Sequence, residues 1–321
     1  MILPDRCVPM QEFSARVSPS PSEVMAVFHA YGDESYREAG VNDLPGVYGF
    51  FAFVATLDVW KRFEQHWASV LLDHGVPYLH MNEFTQSRGP FAKWARPEQK
   101  AMRDAFIADC AKAVREAGPM RGMGGMVFTK DLERFNRDFD QSVVPYAFAL
   151  SAVLLNLCIG LTAEGVVDEM TVVCDGVDRP NKRIYEALGY LAHDPRFRPH
   201  RNRVKVVPLS SEESFKTVLP IQLADFGVWE ARRAYDYVAG WLRDRPGDSL
   251  DDPVAYTGWR FDYERRLAQA RGRPVPSRHE WPDRRTSSRL LVEATADTNV
   301  FFWDYEALVQ TSKWRKHRWT Y

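Results

Sequence analysis

The chain has 321 residues, enough for one large domain or two modest ones, and 45% of them are hydrophobic, which excludes wholesale disorder. A formal net charge of -1 gives no chain-wide electrostatic case for nucleic acid, so any basic surface must be local. The four cysteines (Cys7, Cys110, Cys158, Cys174) are scattered without CxxC spacing, which argues against a zinc ribbon or disulfide framework and for reduced thiols in the cytoplasm.

Residues 1–22 are rich in Pro and Ser, carry no period and read as an arm. They show no secretory leader, and no apolar stretch approaches the length of a membrane span, so no membrane partner is expected. Val24 to Tyr31 reads as a strand running into a Gly32-Asp33-Glu34-Ser35 turn. Val47 to Ala55 is almost continuously apolar, as for a strand covered on both faces. Thr56 and Asp58 offer caps for a helix through about His74, where Val59, Phe63, Trp67, Val70 and Leu71 keep helical spacing. Tyr78 to Met81 reads as a short strand leading to Asn82-Glu83.

A helix starts at Pro97 and runs to about Ala117, followed by a glycine-rich strand from Gly122 to Phe128. Pro145 to about Leu161 is the most apolar helix, and Met170 to Asp175 is a β-branched strand ending in an aspartate. A helix from about Asn181, a strand from Val204 to Pro208 and a helix opening near Leu219 complete the alternation. Strands and helices in this order predict an α/β core over residues 23–242, with a mixed or largely parallel sheet. Residues 243–321 form an Arg/Trp-rich C-terminal extension in which regular period survives only in pieces such as 261–270 and 299–311.

Ligands of open α/β sheets collect at the carboxyl ends of strands. Two strands end there in acids, Asp33 with Glu34, and Asp175; a third acid, Asp225, sits among apolar neighbours near the start of the last core helix. Carboxylates gathered from distant positions repel one another and are tolerated when a cation neutralises them. An all-oxygen set favours Mg²⁺ or Mn²⁺, ions that activate water in phosphoryl chemistry. Any one of these aspartates taken alone is more often a turn former or helix cap than a ligand. Strand alternation sends Asp33 and Glu34 to opposite faces, so one of the two is structural.

Tyr31-Gly32-Asp33-Glu34-Ser35, Leu79-His80-Met81-Asn82-Glu83, Val172-Val173-Cys174-Asp175 with Asp178-Arg179-Asn181-Lys182, and Leu219-Pro220-Ile221-Gln222-Leu223-Ala224-Asp225 after Ser210, Ser211 and Ser214 come in the order of a known pattern. From about Val24 to Arg233 the chain resembles the mostly bacterial family called domain of unknown function 3800. The resemblance implies a ribonuclease-H-like fold with Asp33, Asp175 and Asp225 facing a metal and Glu34 or Glu83 as a fourth carboxylate. His80 would orient a water or phosphate, or is a histidine satisfied by its surroundings. Gln222 shares a helical face with Asp225 and would bind substrate, or tie the helix to the sheet. Lys182 would pair with a phosphate.

Arg196 to Lys205 is a basic run that reads as a solvated strip, and Lys313 to Tyr321 mixes cations with rings that suit either phosphates and unpaired bases or packing of its tryptophans on the core. Arg260 to Arg289 is interleaved with acids that consume its charge. The leading expectation is a metal-dependent phosphodiester hydrolase, a nuclease, with nucleic acid as partner. Its rivals are a non-catalytic protein of this fold that binds nucleic acid or a partner protein, and a hydrolase of a small phosphorylated substrate.

Overall fold

Six strands in the order β5-β4-β1-β2-β3-β6 form one sheet in the computed structural model, which describes residues 28–37, 46–163, 169–175, 180–209, 216–243 and 297–303. The strands are β1 (Phe28–Arg37), β2 (Val47–Thr56), β3 (Arg121–Phe128), β4 (Met170–Cys174), β5 (Val204–Pro208) and β6 (Asp297–Trp303). The helices are α1 (Leu57–Asp73), α2 (Met81–Thr85), α3 (Lys100–Ala117), α4 (Thr129–Asp138), α5 (Pro145–Ala163), α6 (Pro180–Ala192) and α7 (Leu219–Arg243). β1 pairs antiparallel with β2 and β2 antiparallel with β3, while β4 joins β1, β5 joins β4 and β6 joins β3 in parallel. β2 therefore runs against the other five. The architecture is α/β with a mixed sheet, as the alternation predicts.

Helices cover both faces. On one, Tyr31, Phe51, Phe53 and Val173 pack with α1, α3 and α7 through Trp60, Phe63, Trp67, Phe106 and Phe226. On the other, Ala30, Phe50, Ala52, Val172 and Cys174 pack with α4, α5 and α6. Alternate residues of β1 and β2 thus enter alternate cores, the period-two rule of a doubly covered strand. Each fully buried ring such as Trp60, Phe63 or Trp67 contributes about 1.5–3 kcal/mol. Gly227 lets α7 lie close on β2: a Cβ there would stand 2.7 Å from Phe51 Cδ1 and 2.8 Å from Phe53 Cε2.

Four sequence expectations change. The Gly32-Asp33-Glu34-Ser35 segment is strand, not turn, because β1 pairs with β2 in unbroken register from Phe28↔Thr56 to Arg37↔Val47, and this ladder overrides local turn preference. Tyr78 to Met81 is not a strand. The Leu79 amide donates to Gln222 Oε1 at 2.9 Å and the Met81 amide to Asp225 Oδ2 at 2.6 Å, so α7 side chains consume donors that a sheet would need. α5 meets the length and composition of a membrane span over Pro145–Thr162, with mean hydropathy 1.7, although 67% of that stretch is buried against the fold. β6 of the C-terminal extension completes the sheet beside β3. Helix α4 is an addition that its two buried apolar residues, Leu132 and Phe135, left faint in the sequence. The N-terminal arm, Asp178, Arg179, Ser210, Ser211, Ser214, the Arg260–Arg289 stretch and the Lys313–Tyr321 tail lie outside the described residues.

Candidate functional site

The β1·β4 ladder ends at Gly32↔Cys174, and the Asp175 amide extends it by donating to Gly32 O at 3.1 Å. One further step of that register sets Asp33 beside Asp175 on neighbouring parallel strands. Asp33 lies on the side of β1 that carries Tyr31, hence under α7. Asp225 comes to the same side from α7, its Oδ2 accepting the Met81 amide at 2.6 Å. Asp33 Oδ1 accepts the Glu34 amide at 2.7 Å.

The electrostatics follow from this convergence. Burial raises the Asp33 carboxyl well above its ordinary range, and the negative charges of Asp225 and Asp175 raise it further, against the Glu34 amide. Part of the Asp33 surface still reaches solvent, but protein surrounds the carboxyl on most sides. Asp225 is pushed to about 6 by burial, with Asp175 adding and the Met81 amide, His80 and Arg232 opposing. Like charges held close in a poorly solvated place set up a negative field that His80 and Arg232 oppose.

Oxygen-only donors of this kind suit a hard divalent cation. As the side chains stand, no three His, Cys, Asp or Glu groups among the described residues converge to metal-holding spacing. One oxygen each of Asp33 and Asp225 is already occupied by a backbone amide. Donor chemistry and charge fit such an ion; closure of the three side chains around it is the rearrangement required.

Arg232 is a residue that sequence reading missed. It lies seven positions, two helical turns, after Asp225 on the same face of α7. Its Nη1 donates to Ser35 Oγ at 2.8 Å, and Ser35 stands two residues beyond Asp33 on the same face of β1. The pairs Asp33–Ser35 and Asp225–Arg232 thus oppose each other, and the periodicity of helix and strand was the available signal.

Glu34 takes the other face. Burial pushes its carboxyl to about 7, while a hydrogen bond from Tyr48 and the charge of Arg183 lower it and Asp175 raises it. Glu34 Oε2 is buried and accepts no hydrogen bond among the described residues. Glu83 is held differently: its Oε2 accepts the Tyr78 hydroxyl at 2.9 Å, and its Oε1 stands 3.7 Å from His80 Nδ1. Burial and Glu83 together push the Tyr78 phenol to about 12. His80 precedes α2 and acts on Asp225 by charge.

Gln222 has no exposed surface, and its Oε1 accepts both Trp67 Nε1 and the Leu79 amide at 2.9 Å. It is the tie between α7, α1 and the segment before α2, with no face left for substrate. Lys182 is 80% exposed and pairs with Glu186 at 3.8 Å, so the charge that reaches Glu34 comes from its neighbour Arg183. In the basic run, Arg196 is spent on Asp194 through contacts of 3.0 and 2.8 Å. Comparison with protein-family models returned no matching family, and no curated protein matches the chain.

Proposed function

We propose that the chain is a ribonuclease-H-like member of the domain of unknown function 3800 family and a divalent-metal-dependent phosphodiester hydrolase acting on nucleic acid in the cytoplasm. Supporting the fold is an antiparallel β1-β2-β3 meander with β4 and β5 added in parallel on the β1 side. The observation that carries the chemistry is that Asp33, Asp175 and Asp225, from three distant chain positions, lie on one face of the sheet and act on one another by charge.

In this reading Asp33, Asp175 and Asp225 hold Mg²⁺ or Mn²⁺. When bound, such an ion lowers the pKa of water and stabilises the leaving oxygen of a phosphodiester. The chain itself does the rest. The Met81 amide fixes one Asp225 oxygen. Ser35 fixes the Arg232 guanidinium beside the acids, where it balances a phosphate charge that the carboxylates would repel. His80, next to Asp225, is placed to hold a proton for water or leaving group.

Calorimetric titration of the purified chain with Mn²⁺ tests the reading. Saturable binding in the wild type and its loss in Asp175→Asn are expected, together with Mn²⁺-dependent cleavage of oligonucleotides that Asp33→Ala abolishes. Cleavage that survives in both Asp33→Ala and Asp175→Ala removes the hydrolase.

A further inference from the structure

The face of β1 opposite the three aspartates carries a row of rings with a cation at its end. Tyr36 and Tyr48 are cross-strand partners on β1 and β2, with ring centroids 5.9 Å apart and planes at 39°. Tyr48 meets Tyr146 of α5 edge to face at 6.2 Å. The Arg183 guanidinium of α6 lies 5.8 Å from the Tyr146 ring centroid. The row grades from buried to open: Tyr146 is 3% exposed and Tyr36 50%. A packing stripe closes its outermost ring against another element, whereas this one leaves Tyr36 half exposed on the face of β1 opposite the aspartates.

We propose that Tyr36, backed by Tyr48, is a stacking subsite for an unpaired nucleobase, with Arg183 at the inner end of the row, so that the substrate of the aspartate face is single-stranded nucleic acid. This rests on the hydrolase reading and names its substrate class. Flat rings stack on any base whose partner strand is absent, and a guanidinium at the inner end of the row suits a phosphate farther along that strand. Tyr36 lies three residues from Asp33 along β1, about 10 Å, and on the opposite face. β4 ends at Cys174 while β1 continues to Arg37, so among the described residues no strand pairs with β1 on the β4 side beyond Gly32. To touch both faces a ligand must bend around that single strand. A nucleic-acid single strand can do so, whereas a duplex, stiff over about 150 base pairs, cannot.

The test is fluorescence anisotropy with the full chain in chelator, using labelled 12-mers of single-stranded DNA, single-stranded RNA, duplex DNA and base-free single-stranded DNA. Wild type is expected to prefer single strands to duplex by at least about tenfold, and the DNA and RNA arms show which sugar is taken. Tyr36→Ala, a half-exposed position, weakens single-strand binding by about 5- to 150-fold, the range of one base stack. Tyr36→Phe keeps wild-type affinity, and the base-free oligomer binds both alike. Arg183→Gln lowers the salt slope of binding by about one. Wild-type affinity in Tyr36→Ala, equal loss on the base-free oligomer, or no preference over duplex overturns the subsite. Mn²⁺-dependent cleavage is read separately. Its persistence in a Tyr36→Ala protein of wild-type affinity discards the subsite and keeps the hydrolase. Its absence in a wild type whose binding depends on Tyr36 supports the subsite and discards the hydrolase.

Discussion

Gln222→Met separates a structural tie from a substrate contact. Methionine keeps the volume and flexibility of glutamine but offers only a weak acceptor. The change deprives two buried donors, Trp67 Nε1 and the Leu79 amide, of the oxygen that each reaches at 2.9 Å. Water cannot take its place, since Gln222 and the Trp67 and Leu79 side chains have no exposed surface. An orphaned buried donor costs about 1–3 kcal/mol, so the pair costs roughly 2–6 kcal/mol, less the desolvation that a buried amide no longer suffers. A loss of about 3 kcal/mol is expected, a large part of the roughly 5–15 kcal/mol of a typical domain. Urea unfolding with fluorescence detection measures it as a fall in midpoint at unchanged slope. Trp67→Phe removes one of the two donors, so the double variant should cost at least about 1 kcal/mol less than the sum of the singles. A Gln222→Met protein within about 0.5 kcal/mol of wild type, or strict additivity with Trp67→Phe, refutes the tie.

Asp225 makes a pH-dependent contribution in metal-free buffer. Its carboxyl titrates at about 6 rather than 3.8, so between those values the folded chain binds more protons than the unfolded one. Stability from this group therefore falls as pH rises from about 4 to about 6, by roughly 3 kcal/mol. Burial lowers His29 from 6.5 to about 4, which gives the opposite slope over nearly the same window. The measurement is thus the difference between wild type and Asp225→Asn: the variant gains on wild type across pH 4 to 6 by chemical denaturation, and parallel curves contradict the sign. Gly227→Ala drives a methyl into Phe51 and Phe53 and should cost about 1–3 kcal/mol in thermal or urea unfolding; an unchanged midpoint would show that the rings give way freely.

Much of the core was legible because its signals are local. The spacing of Val59, Phe63 and Trp67 marks α1, and the β-branched run of Met170–Cys174 marks β4. Alternation alone sends Asp33 and Glu34 to opposite faces, which is how they lie. The rest depends on partners far along the chain. Tyr78 to Met81 looks like a strand until its amides meet Gln222 and Asp225, 143 and 144 residues away. Gly32 to Ser35 looks like a turn until β2 pairs with it. Arg183 and Tyr146 carry no motif; they matter only because α5 and α6 pack over the face that Glu34 takes. Periodicity cannot report a side chain whose role is set by what lies across the sheet.

The three aspartates are also separated in time. Asp33 leaves the ribosome long before Asp225, and at about 5–20 residues per second the interval is of order 10–40 s. Until α7 has been made, β1 and β2 can pair as a hairpin, but nothing fixes an Asp225 oxygen or sets Arg232 against Ser35. Parallel β1–β4 pairing across some 140 residues is itself a slow, non-local event. An emerging chain is therefore assembled without its acidic centre, and the repulsion stored there arises only once the surrounding core is complete enough to withstand it.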